Sequence, residues 1–160
     1  MVTIRPARLD DDAPLARIDH DTWSPLASPA PAPPDPERFF DERHGPEDVL
    51  VAEVGGRVAG YVRLSHPTPL PASRHVLYVS GVAVDPAVQG QGVGRALVEG
   101  ALAHARERGI RRVTLRVLAP NTRARALYES CGFVVEGVLR GEFHLEGRDV
   151  DDQFLAYTIT

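Results

Sequence analysis

The stretch Val82-Ala83-Val84-Asp85-Pro86-Ala87-Val88-Gln89-Gly90-Gln91-Gly92-Val93-Gly94-Arg95 decides how this chain folds. A long apolar run, His75 to Val84, reads as a buried strand, and Asp85-Pro86 ends it because proline has no N–H for a ladder. Gly90, Gly92 and Gly94 then open a helix predicted over Gly92 to Arg108. Its Gly94, Leu97, Val98, Ala101, Leu102 and Ala105 share one face, and Gly109 stops it. Alternating glycines leave backbone N–H groups exposed, and a helix N-terminus carries partial positive charge. The turn therefore suits a phosphate or pyrophosphate. Arg95 adds a guanidinium to the first helical turn for a charge-assisted contact.

Periodicity extends the reading in both directions. Downstream, Arg111 to Leu118 alternates as a strand, and Asn121 is placed as the N-cap of a helix whose Ala124, Leu127, Tyr128 and Cys131 fall at i, i+3, i+4 and i+7. Phe133 to Leu139 and Gln153 to Ile159 read as two closing strands joined by a polar loop, Gly141 to Asp152, with Glu142, Glu146, Asp149, Asp151 and Asp152. Those five carboxylates offer a field that attracts a cationic amine, or simply a solvated hairpin tip. Upstream, Asp48 to Val54 and Arg57 to His66 are strands split by a Gly55-Gly56 hairpin signal. Val2 to Ala7 is a first strand, and Asp10-Asp11-Asp12 opens a helix carrying Leu15, Ile18 and Trp23. Ser24 to Pro36, with Pro25, Pro29, Pro31, Pro33, Pro34 and Pro36, is a loop or a semi-rigid flap beside a site. Asp35 to Phe40 looks like a short capped helix, and Trp23, Phe39 and Phe40 either wall a pocket or join the core. The order β-α-(α)-β-β-β-α-β-α-β-β predicts one α/β domain over residues 1–160, with a mixed, mostly antiparallel sheet of about seven strands flanked by helices.

Composition narrows the chemistry. All 18 Lys+Arg residues are arginine, so Schiff-base and pyridoxal-phosphate catalysis are excluded, as is a Walker A loop. A Rossmann fingerprint fails as well, since Arg95 stands where a third glycine is needed and Ile110-Arg111-Arg112 where an acidic residue is expected. The net charge of -4 argues against a sequence-independent grip on nucleic acid. Cys131 is the single cysteine, compatible with a reducing cytoplasm, and no apolar run is long enough for a signal peptide or a membrane span.

What remains for the glycine turn is a purely structural bend or a family likeness. Gln89-Gly90-Gln91-Gly92-Val93-Gly94 resembles the Q/R-x-x-G-x-G/A signature of the GNAT superfamily of N-acetyltransferases. Val82-Ala83-Val84-Asp85-Pro86 resembles the family's fourth strand, and Asn121 to Phe133 resembles its N-x-x-A-x-x-L-Y-x-x-x-G-F block. The likeness is dense from Leu77 to Leu139.

The resemblance implies an acetyl-CoA-dependent enzyme with no metal. Gln89, Gly90, Gln91, Gly92, Val93, Gly94 and Arg95 would cradle the coenzyme pyrophosphate. Val82, Ala83 and Val84 would present main-chain groups to the pantetheine arm and polarise the thioester carbonyl. Asn121 would contact the coenzyme arm, cap its helix, or both. Tyr128 would be the catalytic residue, a phenol that donates to the leaving thiolate. Cys131 has no visible histidine partner and is read as packing. The reaction implied is direct attack by a neutral amine, through a tetrahedral intermediate. For the proton, Tyr78 stands where many relatives carry a glutamate, leaving His75, Ser80, His144 and the acidic residues of the last loop, with a water relay as the working hypothesis. The expected acceptor is a small amine or amino-acid-like molecule, with the N-terminus of a ribosomal protein as the alternative. A non-catalytic acetyl-CoA-binding regulatory module is a third reading. A cytoplasmic location follows, with no nucleic-acid or membrane partner; a homodimer, common in the family, is left open.

Overall fold

The computed structural model describes residues 1–33 and 38–160. Its strands and helices follow the predicted order: β1 (Val2–Pro6), α1 (Asp12–Thr22), β2 (Val49–Val54), β3 (Arg57–Ser65), β4 (Val76–Val84), α2 (Val93–Glu107), β5 (Arg112–Leu118), α3 (Thr122–Ser130), β6 (Val134–Leu145) and β7 (Arg148–Thr158). The sheet runs β1-β2-β3-β4-β5-β7-β6. Only β4 and β5 pair in parallel, because α2 carries the chain back across the sheet between them.

Alternation along β2 and β3 sorts side chains onto two faces. Leu50, Ala52, Val62 and Leu64 join the cluster built on Leu97, Val98, Ala101 and Leu102 of α2, against which Ala124, Leu127 and Tyr128 of α3 pack. Val49, Val51 and Tyr61 face the other way, onto Leu15, Ala16 and Ile18 of α1 and onto Phe39 and Phe40. Leu97 is fully buried, and burying a leucine side chain is worth about 2–3 kcal/mol. At Gly60 β3 has no room for a side chain against β4, since a Cβ there would sit 2.6 Å from the Ala83 carbonyl oxygen.

Two features of β4 create the site. The β3–β4 register slips where Arg63 faces Gly81 but Leu64 faces Val79, which leaves Ser80 as the extra residue of a bulge. The parallel ladder to β5 covers only Val76 to Val79. Beyond the bulge β4 and β5 separate, so Ser80 to Val84 keeps β3 on one edge and has the other edge free.

Two expectations change. The segment Gly141 to Asp152 is mostly strand, because β6 and β7 run on to a two-residue turn at Glu146-Gly147, with φ of +50° and +77°. Four of its five carboxylates are engaged rather than pooled: Asp149 accepts from His144 at 2.8 Å, Asp151 from the Gly141 amide at 2.8 Å, and Asp152 from Arg116 at 2.5 Å. Glu142 lies 3.8 Å from Arg116. The short helix expected at Asp35 to Phe40 falls partly on residues 34–37, outside the described ones, and Arg38 to Phe40 are not helical. Phe39 and Phe40 are core residues, held by their amides donating to Asp12 Oδ1 at 3.0 and 2.8 Å.

Candidate functional site

The glycine turn links the end of β4 to α2. Gly90 and Gly92 both have φ of +82°, a left-handed conformation that costs an L side chain about 1 kcal/mol, and nothing lies within 4 Å of where a Cβ would be. Gly92 is the N-cap of α2 and supplies no side-chain cap; the first helical bond is Ala96 N–H to Gly92 C=O, at 3.0 Å. The amides of the first turn are therefore left without a side-chain acceptor, a ready seat for an anion. Gln89 turns back, and its Nε2 donates to the Val84 carbonyl at 3.2 Å.

The free edge of β4 leads away from this turn. The Asp85 amide donates to the Ala59 carbonyl at 2.8 Å, so by alternation the amides of Val82 and Val84 point away from β3, into the gap toward β5. Across that gap stands α3. Asn121 caps it, its Oδ1 accepting from the Ala124 amide at 3.2 Å. That bond uses the oxygen alone and leaves the side-chain NH₂ free to donate. Two turns on, Tyr128 is half-buried, with its ring 6.0 Å from Phe133 and edge-on to it. Burial, with the neighbouring Cys131 and Tyr78, pushes its phenol up to about 12.

Two cavities meet here. One, of 560 Å³, lies over the glycine turn and is lined by Val84, Gln89, Gly90, Gly92, Val93, Gly94 and Arg95. The other, of 570 Å³, lies over the α1 side and is lined by Asp19, Tyr61, Arg63, Tyr78, Ser80 and Asp152, among others. Both are bordered by Val82, Ala83, Asn121, Ala124 and Tyr128, so the two form one groove that changes character at the free edge of β4. The described part of the Pro-rich segment borders it: Ala27 lines both cavities, Ser28 to Pro31 line the second, and Trp23 Nε1 donates to the Ala30 carbonyl at 3.0 Å.

The residues expected from sequence are largely brought together. Gln91 is exposed and does not line either cavity. Arg95 borders the first cavity but directs its guanidinium to the Ser130 carbonyl and hydroxyl at 3.3–3.4 Å and to Glu99 at 3.5 Å. Arg123, which the sequence reading passed over, is exposed at the same cavity and adds a second cation. The proton-acceptor candidates divide. His75 lies before β4, at the end of the sheet remote from the glycine turn, and His144 is in the exposed part of the β6–β7 hairpin; neither lines the groove. Ser80 does, with its Oγ donating to the Arg63 carbonyl at 3.3 Å. Tyr78 does as well, its phenol raised mainly by burial. Asp19 on α1 was not foreseen; it accepts from the Tyr61 hydroxyl at 2.6 Å. Cys131 is raised by burial, as an inert packing thiol would be. Among the described residues no group of three or more His, Cys, Asp or Glu could hold a metal ion, and no helix is long and apolar enough to cross a membrane.

A splayed pair of parallel strands, a glycine turn on a helix N-terminus and an Asn/Tyr helix across the gap can be compared with known proteins. The Acetyltransferase (GNAT) family matches residues 15–133. The chain belongs to the GNAT acetyltransferase family. It is similar to the N-alpha-acetyltransferase RimI of Mycobacterium tuberculosis, 36% identical over 133 residues that make up 82% of this chain and 74% of that protein. The phosphinothricin N-acetyltransferase of Alcaligenes faecalis is 34% identical over 156 residues, 93% of this chain and 78% of that protein. A mycothiol acetyltransferase of Beutenbergia cavernae is 56% identical over 57 residues, but the match spans only 18% of that longer protein. The structure superposes on the ribosomal-protein-alanine N-acetyltransferase of Brucella melitensis with a TM-score of 0.81 at 27% identity, covering 98% of this chain and 99% of that one.

Proposed function

We propose that this GNAT chain transfers the acetyl group of acetyl-CoA to the primary amine of a small molecule, by direct attack within a ternary complex. The observation that carries the reading is the shared border of the two cavities, where the free edge of β4 meets Asn121 and Tyr128. The first cavity has the chemistry of a coenzyme A site. The uncapped amides at Gly92 to Gly94 suit a pyrophosphate, with Arg95 and Arg123 near enough to add charge. The amides of Val82 and Val84 suit the pantetheine arm, in the manner of an added strand. Either amide can donate to the oxygen of a thioester carbonyl as negative charge develops there, a term worth about 3–4 kcal/mol in well-formed oxyanion holes. The side-chain NH₂ of Asn121 is free for the arm.

Tyr128 acts as a hydrogen-bond donor to the leaving sulfur. With both expected histidines away from the groove, the amine loses its proton into the second cavity, through water ordered there by Asp19 and Ser80. The lone thiol and the absence of a membrane-length helix among the described residues suit a cytoplasmic enzyme. A second acceptor class, the N-terminal amine of a protein, is favoured by the likeness to the RimI and Brucella enzymes.

The test is thiol release from acetyl-CoA over a panel of amino acids, simple amines and Ala-terminated peptides. Turnover on small amines supports the reading. Turnover on peptides alone moves the assignment to the second class. Coenzyme binding without turnover on any amine defeats the transferase reading and leaves a regulatory module.

A further inference from the structure

The second cavity contains four charged side chains of two kinds. Arg116 and Asp152 neutralise each other, with Nε 2.5 Å from Oδ2, and Asp152 is buried. Arg63 and Asp19 are not matched in this way. Among the described residues Arg63 has no carboxylate within ion-pair distance, and its buried Nε has no hydrogen-bond partner at all. Asp19 accepts one bond, from the neutral Tyr61 hydroxyl, and pairs with no cation among the described residues. An orphaned buried donor is costly to maintain, and one on a guanidinium more so, unless a ligand satisfies it.

The guanidinium is also held in place. Its carbon lies 4.5 Å from the centroid of the Phe39 ring and 5.8 Å from that of Tyr61, and Phe39 and Tyr61 pack edge-on at 4.8 Å. Arg63 lies opposite Gly81, at the bulge where β4 leaves β5. Tyr61 lies two residues back on the same face, with its hydroxyl near Gly81. Among the described residues, an unmatched cation and an unmatched anion therefore flank Tyr61, beside the strand edge where the thioester is expected.

Resting on the transferase reading above, we propose that the acceptor is a zwitterion of the α-amino-acid type, its carboxylate held by Arg63 and its ammonium drawn to Asp19. A planar guanidinium accommodates a carboxylate in two parallel hydrogen bonds, which the amide that follows a peptide's terminal amine cannot replace. Binding then neutralises both unmatched charges at once and sets the amine on the Asp19 side, where its proton can leave.

The experiment compares kcat/KM for each amino acid with that for the amine lacking only its carboxylate: alanine with ethylamine, phenylalanine with phenethylamine, histidine with histamine, tyrosine with tyramine. An Ala-terminated peptide completes the set. The wild-type protein should prefer the acid by about 10- to 100-fold, the range of a charged hydrogen-bonded contact. Arg63→Met keeps an unbranched stem on Phe39, and the acid-to-amine ratio should fall to near one. Arg63→Lys should retain part of it. Asp19→Asn should lower kcat/KM for acids and amines alike. Equal rates on acid and amine, or a better rate on the peptide, overturn the zwitterion while leaving the transferase intact. A preference that survives Arg63→Met overturns the role of Arg63. Silence on every acceptor defeats the transferase reading itself; calorimetric titration of the same acids into wild type and Arg63→Met then decides the Arg63 assignment, which fails if both bind alike.

Discussion

Tyr128→Phe removes one hydroxyl from the border of the two cavities. That phenol is raised to about 12 by burial, whereas a thiol leaving group ionises near 8.5. Moving the proton fully from Tyr128 to the thiolate is thus uphill by roughly 3–4 pH units, about 5 kcal/mol. The residue is better placed to donate a hydrogen bond than to surrender its proton. Such a bond to a charged atom is worth about 1.5–3 kcal/mol, which sets the expected loss in kcat at about 10- to 150-fold. KM for acetyl-CoA should move less than about threefold, because thiolate charge appears only in the transition state. No protein hydrogen bond is lost among the described residues, so the melting midpoint should hold near neutral pH. Because the folded state disfavours the phenolate, wild type should lose stability relative to Tyr128→Phe only as pH rises from 10 through about 12. The measurements are steady-state coenzyme A release and thermal unfolding from pH 7 to 12. An unchanged kcat would remove Tyr128 from the chemistry. A loss beyond about 10⁴-fold would mean that it does transfer its proton.

Three further expectations concern the frame of the site. Asn121→Ala should cost about 1 kcal/mol in chemical denaturation by deleting the α3 cap, while Asn121→Asp keeps the cap; both should raise KM for acetyl-CoA, since both lose the NH₂. Gly60→Ala puts a Cβ 2.6 Å from the Ala83 carbonyl oxygen and 3.1 Å from Leu97, and should cost about 1–3 kcal/mol while weakening coenzyme binding through displacement of β4. Asp11 accepts from Arg5 at 2.8 and 2.9 Å and from the Arg8 amide at 2.7 Å, and Arg5 holds its carboxyl below the usual carboxylate range. Asp11→Asn should cost about 2–4 kcal/mol at neutral pH. The difference from wild type should narrow as pH falls through that lowered value, where the wild-type carboxylate is itself protonated.

The order of elements was legible because the core segments are strongly apolar: Val49 to Ala52, buried on both faces, reads as a continuous apolar run, and the buried positions of α2 recur at helical spacing. The inner parts of β6 and β7, within Phe133 to Leu139 and Gln153 to Ile159, were legible as strands, but the outer part of the hairpin, Gly141 to Asp152, was not. Its polar side chains, paired as His144–Asp149 and as Asp152 with Arg116 of β5, mimic a solvated loop when read along the chain. The half of the groove proposed for the coenzyme shows in the sequence as a turn because it is built from contiguous backbone, Val82 to Arg95, where the spacing of Gly90 and Gly92 reflects their positive φ directly. The acceptor half was not. Asp19, Tyr61, Arg63 and Ser80 come from three elements, and only the β3–β4 register shift brings Arg63 to the gap. His75 and His144 were plausible as chemistry but fall on the wrong parts of the sheet, which no local pattern announces.

That asymmetry has a physical consequence for how the fold accommodates different acceptors. The side proposed for the coenzyme offers main-chain amides and glycine conformations, which do not depend on neighbouring side chains beyond leaving them room. The acceptor side relies on side chains projecting from α1 and β3 into a cavity whose backbone is already fixed by the bulge at Ser80. Exchanging Arg63 for an apolar residue would leave Val82, Val84 and the turn in place while erasing the charge that selects a carboxylate. Relatives 36% and 34% identical to this chain carry names that specify different acceptors, an α-amine and phosphinothricin. A groove with one half set by backbone and the other by side chains permits that divergence, because specificity can change without disturbing the strand edge on which acetyl transfer depends.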